Sequence, residues 1–169
     1  DSNSNIEVIA TVSAKDLDAV VKSETKTIEV AQAELEITEK DRSDIDGEKL
    51  YTEGHKLKLN INVKNLTRNT LNNIIVEKTM PEEFTFTKGY VIGYESDGIT
   101  EYEEIPATYD ESTRVVTLKI DNLEMLSSRQ IIIEGTANAL PGDTTKRVVG
   151  TTVSARADGT DTYESNELL

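Results

Sequence analysis

Cysteine and tryptophan are absent from this 169-residue chain, proline occurs three times, phenylalanine twice and histidine once. Without cysteine there is no disulfide framework, no zinc-thiolate centre and no thiol nucleophile. No apolar run is long enough to cross a bilayer as a helix, so membrane insertion by this stretch is not expected. Positive charge is also scarce. With 18 bases against 32 acids the net charge is −14, which repels phosphate backbones and anionic lipid headgroups and argues against nucleic acid as a partner. The opening Asp-Ser-Asn-Ser-Asn lacks the basic and apolar regions of a signal peptide. The sequence reads as a piece of something longer.

What is present is alternation. Leu57, Leu59, Ile61 and Val63 take every second position, and Lys56, Lys58, Asn60, Asn62 and Lys64 fill those between. Successive strand side chains point to opposite faces, so this pattern gives one aliphatic row and one hydrated row. Burying each aliphatic stabilises the fold by roughly 1.5–3 kcal/mol, so this strand anchors a core. A hydrophobic fraction of 36% is low for a compact enzyme and suits a thin sandwich whose sheets each expose one face.

Further strands are expected over residues 6–14, 22–40, 74–78, 84–94, 102–109, 114–120, 129–139, 148–155 and 163–169. In the run 22–40, Ile28 and Val30 share one parity and Ala33, Leu35 and Ile37 the other, which marks a bulge or a junction between strands near Ala31 and Gln32. A helix over residues 31–40 is the rival reading, since Ala, Leu and Glu favour helices. Gly89 and Gly93 are expected to loosen their strand, and Pro106 to mark residues 102–109 as an edge. Many short strands between turn signals predict an all-β antiparallel sandwich.

The segment from Ala10 to Lys15 (ATVSAK) is echoed from Thr151 to Arg156 (TTVSAR), and an acidic loop and an extended Ser/Glu/Thr segment follow each copy. Repetition of this kind indicates a modular chain. Residues 1–31 are expected to be the closing strands of a preceding repeat and residues 32–169 the next domain.

Glu53-Gly54, the strand 57–65, Leu71-Asn-Asn-Ile-Ile-Val76 and Met80-Pro-Glu-Glu-Phe84-Thr-Phe86 together resemble the conserved repeat of bacterial cell-surface proteins catalogued as domain of unknown function eleven. Residues 148–166 resemble its closing portion. There are departures: Lys78-Thr79 stands where the repeat carries an acid before Leu-Pro, Met80 replaces the Leu and Glu83 the Gly. The resemblance implies an immunoglobulin-like sandwich in a multidomain extracellular protein of the Gram-positive surface or wall, often in tandem, and it implies no catalytic site. Low cysteine usage agrees with that setting. The role it implies is a structural stalk or spacer whose partners are neighbouring repeats.

Each chemical constellation has a plainer competitor. Asp44, Asp46, Gly47 and Glu53 match the third, fifth, sixth and twelfth positions of a calcium loop, but Arg42 stands where the first ligand belongs, which favours a solvated acidic turn and no cofactor. Tyr90, Tyr94, Tyr102 and Tyr109 cluster around the middle hairpin and edge strand, where they would form a face for a host protein or glycan, or simply line sheet edges. Lys–Asn isopeptide crosslinks of the kind found in some adhesin domains need a lysine, an asparagine and an acid buried together. Lys40, Lys58 or Lys64 with Asn166 are the candidates, although Lys58 and Lys64 fall on the polar parity of their strand. His55 reads as a surface residue, and no nucleophile elbow is present. Residues 1–31, lacking the rest of their module, are expected to pack on this domain or to exchange with a second copy in a dimer.

Overall fold

A computed structural model describes residues 4–9, 11–12, 21–22, 26–30, 34–43, 51–142, 149–165 and 167. The contacts divide the chain into two units, Asp1–Ala33 and Glu34–Leu169. In the first, β1 (Ser4–Val8) pairs antiparallel with β4 (Lys26–Val30), and β2 (Thr11–Val12) with β3 (Val21–Lys22).

The second unit is a sandwich of two five-stranded antiparallel sheets. One sheet is ordered β5 (Leu35–Asp41), β6 (Lys56–Asn65), β12 (Ser128–Ala137), β8 (Phe84–Tyr94), β9 (Glu101–Pro106). The other is ordered β10 (Thr108–Asp110), β11 (Val115–Leu123), β7 (Leu71–Thr79), β13 (Ser154–Arg156), β14 (Tyr163–Glu164). The all-β, immunoglobulin-like expectation holds, and the rival helix over residues 31–40 gives way to a strand from Leu35.

The core follows from the alternation. Leu57, Leu59, Ile61 and Val63 of β6 are buried with Ile131 and Ile133 of β12, and they face Ile74 and Val76 of β7 and Val116, Leu118 and Ile120 of β11. Register keeps like with like: Ile61 lies opposite Ile131, and Val76 opposite Leu118. A one-residue slip in either pair would turn an aliphatic row to water.

Proline marks two of the corners at which the chain passes between sheets. At Met80-Pro81 it leaves β7 for β8, because proline has no N–H to continue the ladder. Arg114, held at a φ of 59°, braces that corner. Its Nε donates to Met80 O at 3.0 Å, and its Nη2 donates to Pro81 O at 2.5 Å and Phe84 O at 2.6 Å. The second corner lies at Pro106–Ala107. The expected single strand over residues 102–109 is instead two strands in opposite sheets, since Pro106 ends the ladder with β8 and Thr108 begins one with β11. The closing strand is also shorter than residues 148–155: among the described residues it runs Ser154–Arg156, with an isolated bridge at Thr151.

Around Gly89 and Gly93 β8 runs unbroken from Phe84 to Tyr94, but its pairing shifts register against β12 at Glu134/Gly135 and against β9 at Val91/Ile92. The two glycines also provide room for neighbours. A Cβ at Gly89 would stand 3.0 Å from the Cβ of Ala107, and one at Gly93 would overlap the Tyr102 ring.

Candidate functional site

Two places concentrate chemistry: the centre of the sandwich and the free end of the β8–β9 hairpin. At the centre, Lys78 takes the inward position of β7 that follows Ile74 and Val76, and Glu39 takes the inward position of β5 that follows Leu35 and Ile37. They come from opposite sheets and meet, with Lys78 Nζ 2.6 Å from Glu39 Oε1 and both side chains 0% exposed. Lys78 also donates to the Thr151 hydroxyl and, at 3.4 Å, to Thr152 O. Glu39 Oε2 has no hydrogen-bond partner among the described residues.

Burial sets the electrostatics of this pair. Desolvation raises the Glu39 carboxyl above its usual range; the Lys78 cation lowers it in part and Asp41 adds to the rise. Desolvation lowers the Lys78 amine, against the pull of Glu39. Each charge is tolerated because the other is in contact with it. Sequence reading missed the pair. Lys78 was visible only as a departure from the repeat, and Glu39 sat on an aliphatic parity in a run crowded with acids.

The lysines singled out for a crosslink lie elsewhere. Lys40 and Lys58 are exposed, and Lys64 is half-buried and 3.9 Å from Glu36. Asn166 lies outside the described residues. Among the described residues the buried amine is Lys78, with a carboxylate and a hydroxyl in reach.

Asn65, at the end of β6, is fully buried and ties the loop that follows it to the end of β11. Its Nδ2 donates to Asn69 O at 2.7 Å, Leu123 O at 3.0 Å and Glu124 O at 3.1 Å, and its Oδ1 accepts from Thr67 N and Oγ1, both at 2.8 Å.

Of the calcium-loop residues, Asp44, Asp46 and Gly47 lie outside the described residues and Glu53 is exposed. Among the described residues no group of three or more acids or histidines is arranged to hold a metal ion. The loop is closed at its base by Tyr51, whose hydroxyl donates to Asp41 Oδ2 at 2.5 Å and lies 2.6 Å from Ser43 Oγ. Burial and the Asp41 carboxylate push the Tyr51 phenol well above its ordinary value. The Tyr51 ring meets Phe84 edge-on at 5.1 Å. His55 is exposed.

The four hairpin tyrosines do not share one face. Tyr109, on β10, stacks on Phe86 at 4.6 Å beside the core. Tyr90 is half-buried, with Lys88 Nζ 5.0 Å from its ring centre. Tyr94 and Tyr102 are each 44% exposed on adjacent strands.

The two sheets form a β-sandwich whose fold is found in several solved structures. The chain is similar to the full-length major pilin SpaD from Corynebacterium diphtheriae, with a TM-score of 0.58 and 12% identity over 79% of this chain and 34% of that one. It is similar to BcpA, the major pilin subunit of Bacillus cereus, with a TM-score of 0.56 and 13% identity over 95% and 47%. The C-terminal domain of the Streptococcus pyogenes antigen I/II-family protein AspA matches with a TM-score of 0.52 and 10% identity over 88% and 49%. The chain thus spans a third to a half of these structures, and at such identities the likeness is one of fold. No protein-family model and no curated protein matches the sequence.

Proposed function

We propose that the chain is a non-enzymatic structural module of an extracellular bacterial surface protein, serving as a stalk or spacer between neighbouring modules of the same parent chain. The observation that carries this reading is the buried Lys78–Glu39 contact between the two sheets of a sandwich whose fold is similar to that of two pilins and an antigen I/II-family domain. Where an enzyme would keep polar groups open to a substrate, this fold spends its strongest polar contact on tying its two sheets together. The type of repeat rests on the Asn65 and Met80-Pro81 motifs. Antibody raised against the chain should label intact cells that make the parent protein; labelling only after lysis overturns the reading. Residues 1–31 belong to the same proposal as the tail of the preceding module, either kept in one chain or exchanged between two, and light scattering with and without them separates the cases.

The second reading is adhesion, favoured by the exposure of Tyr94 and Tyr102 on adjacent strands. Its test is binding to a host-protein and glycan panel, with Tyr94→Ala and Tyr102→Ala abolishing whatever is bound.

A further inference from the structure

The β8–β9 hairpin combines three features at one edge of the sandwich. β9 ends its sheet, so its outer backbone edge has no ladder partner among the described residues. Tyr94, Ile99 and Tyr102 expose 44%, 81% and 44% of their surfaces around the hairpin end. The Tyr102 ring lies directly over Gly93, where any Cβ would overlap it, so its orientation is set before a ligand arrives.

The turn is rigid too. Asp97 Oδ1 accepts from Ile99 N and Thr100 N at 2.8 Å, and its Oδ2 accepts from Thr100 Oγ1 at 2.6 Å. Glu95 N donates to Thr100 O at 2.9 Å across its base. Ordering these groups on binding therefore costs little.

Charge selects the partner. Glu103 is paired with Lys88 at 2.6 Å and Glu104 with Arg129 at 2.8 Å, whereas Glu95 and Glu101 form no ion pair among the described residues. Acids along an edge strand repel a second acidic strand and so protect against pairing between copies. The same acids beside exposed tyrosines attract a strand that carries cations.

We propose that the β9 edge is a docking site for an extended lysine- or arginine-bearing peptide segment of a partner protein, added as a further strand whose side chains pass alternately over the sheet face that carries Tyr102 and the opposite face that carries Tyr94 and Glu101. This rests on the adhesive reading and names its ligand class.

The test uses the whole chain and synthetic extended peptides that carry lysine on both strand faces, in the pattern Lys-Lys-Thr-Thr repeated, measured by calorimetry at low salt. Binding should weaken on the order of tenfold for Tyr102→Ala and for the pair Glu95→Gln, Glu101→Gln. The charge-matched pair Glu53→Gln, Glu124→Gln, away from this edge, should leave affinity unchanged. Peptides N-methylated along one edge should bind, since the other edge stays free for β9, and peptides methylated along both edges should not. Circular dichroism confirms that each variant is folded. Equal weakening by both acid pairs, or undiminished binding of the doubly methylated peptide, overturns the proposal. Glycan binding that depends on Tyr102, without peptide binding, overturns the ligand class and leaves the adhesive reading standing; no binding to either overturns both.

Discussion

Replacing Lys78 with methionine leaves Glu39 in the middle of the sandwich with no counter-charge. The two side chains are 2.6 Å apart and 0% exposed, so solvent cannot take the place of the missing partner. Breaking a buried ion pair from one side costs about 3–5 kcal/mol. For a domain of this size 1 kcal/mol moves the melting temperature by roughly 2–6 °C, so Lys78→Met should lower it by roughly 6–30 °C. Glu39→Leu, which strands the amine, should cost a similar amount. The double variant removes both charges and fills the space with apolar atoms, so it should return to within about 1 kcal/mol of the parent or exceed it.

Thermal and urea unfolding of the four proteins supplies the double-mutant cycle. pH adds a second readout. The Glu39 carboxyl is raised on folding, so the native state holds its proton longer than the unfolded chain does. Its contribution is most favourable below 4.5 and is lost as pH rises through the raised value. The Lys78 amine is lowered on folding, so its contribution is most favourable above 10.5 and is lost as pH falls through the lowered value. The two contributions are coupled, because neutralising one group leaves the other charge buried without its partner and offsets the gain, so the readout is the difference between the parent and the double variant, which should lack both slopes. A Lys78→Met variant as stable as the parent, or a double variant no better than the singles, refutes the reasoning. An intact mass lighter than the sequence by one water would show that the two groups are joined as an amide and not as ions.

Two other substitutions test how the loops are held. Asn65→Ala removes the side-chain donor to the buried Leu123 carbonyl and the acceptor for Thr67, while Glu124 O keeps Ser127, and should cost roughly 1–3 kcal/mol by urea unfolding; Asn69→Ala, which keeps the carbonyl used by Asn65, should cost far less. Arg114→Lys removes the planar fork that reaches Met80, Pro81 and Phe84 together, and should cost about 1–3 kcal/mol with faster amide exchange in residues 80–84.

Strand identity and inward faces were legible where one residue type repeats with a period of two. The β6 row from Leu57 to Val63 and the β11 row of Val116, Leu118 and Ile120 needed nothing beyond that local rule. Pro81 likewise announced its corner, because a missing N–H is a property of the residue itself. Gly93 showed the limit: the same absent Cβ that weakens a strand in isolation becomes a seat for Tyr102 once β9 lies alongside.

The sequence alone determined the sandwich, because alternation is a local property and each strand carries its own record of which face is dry. Only the tertiary structure decided that Lys78 meets Glu39, that Tyr109 turns toward Phe86, and that Tyr94 and Tyr102 remain outside. Contact between two inward positions depends on the register within each sheet and on the crossing of one sheet over the other. Those are set by many distant pairings acting together, so no short stretch of chain records them.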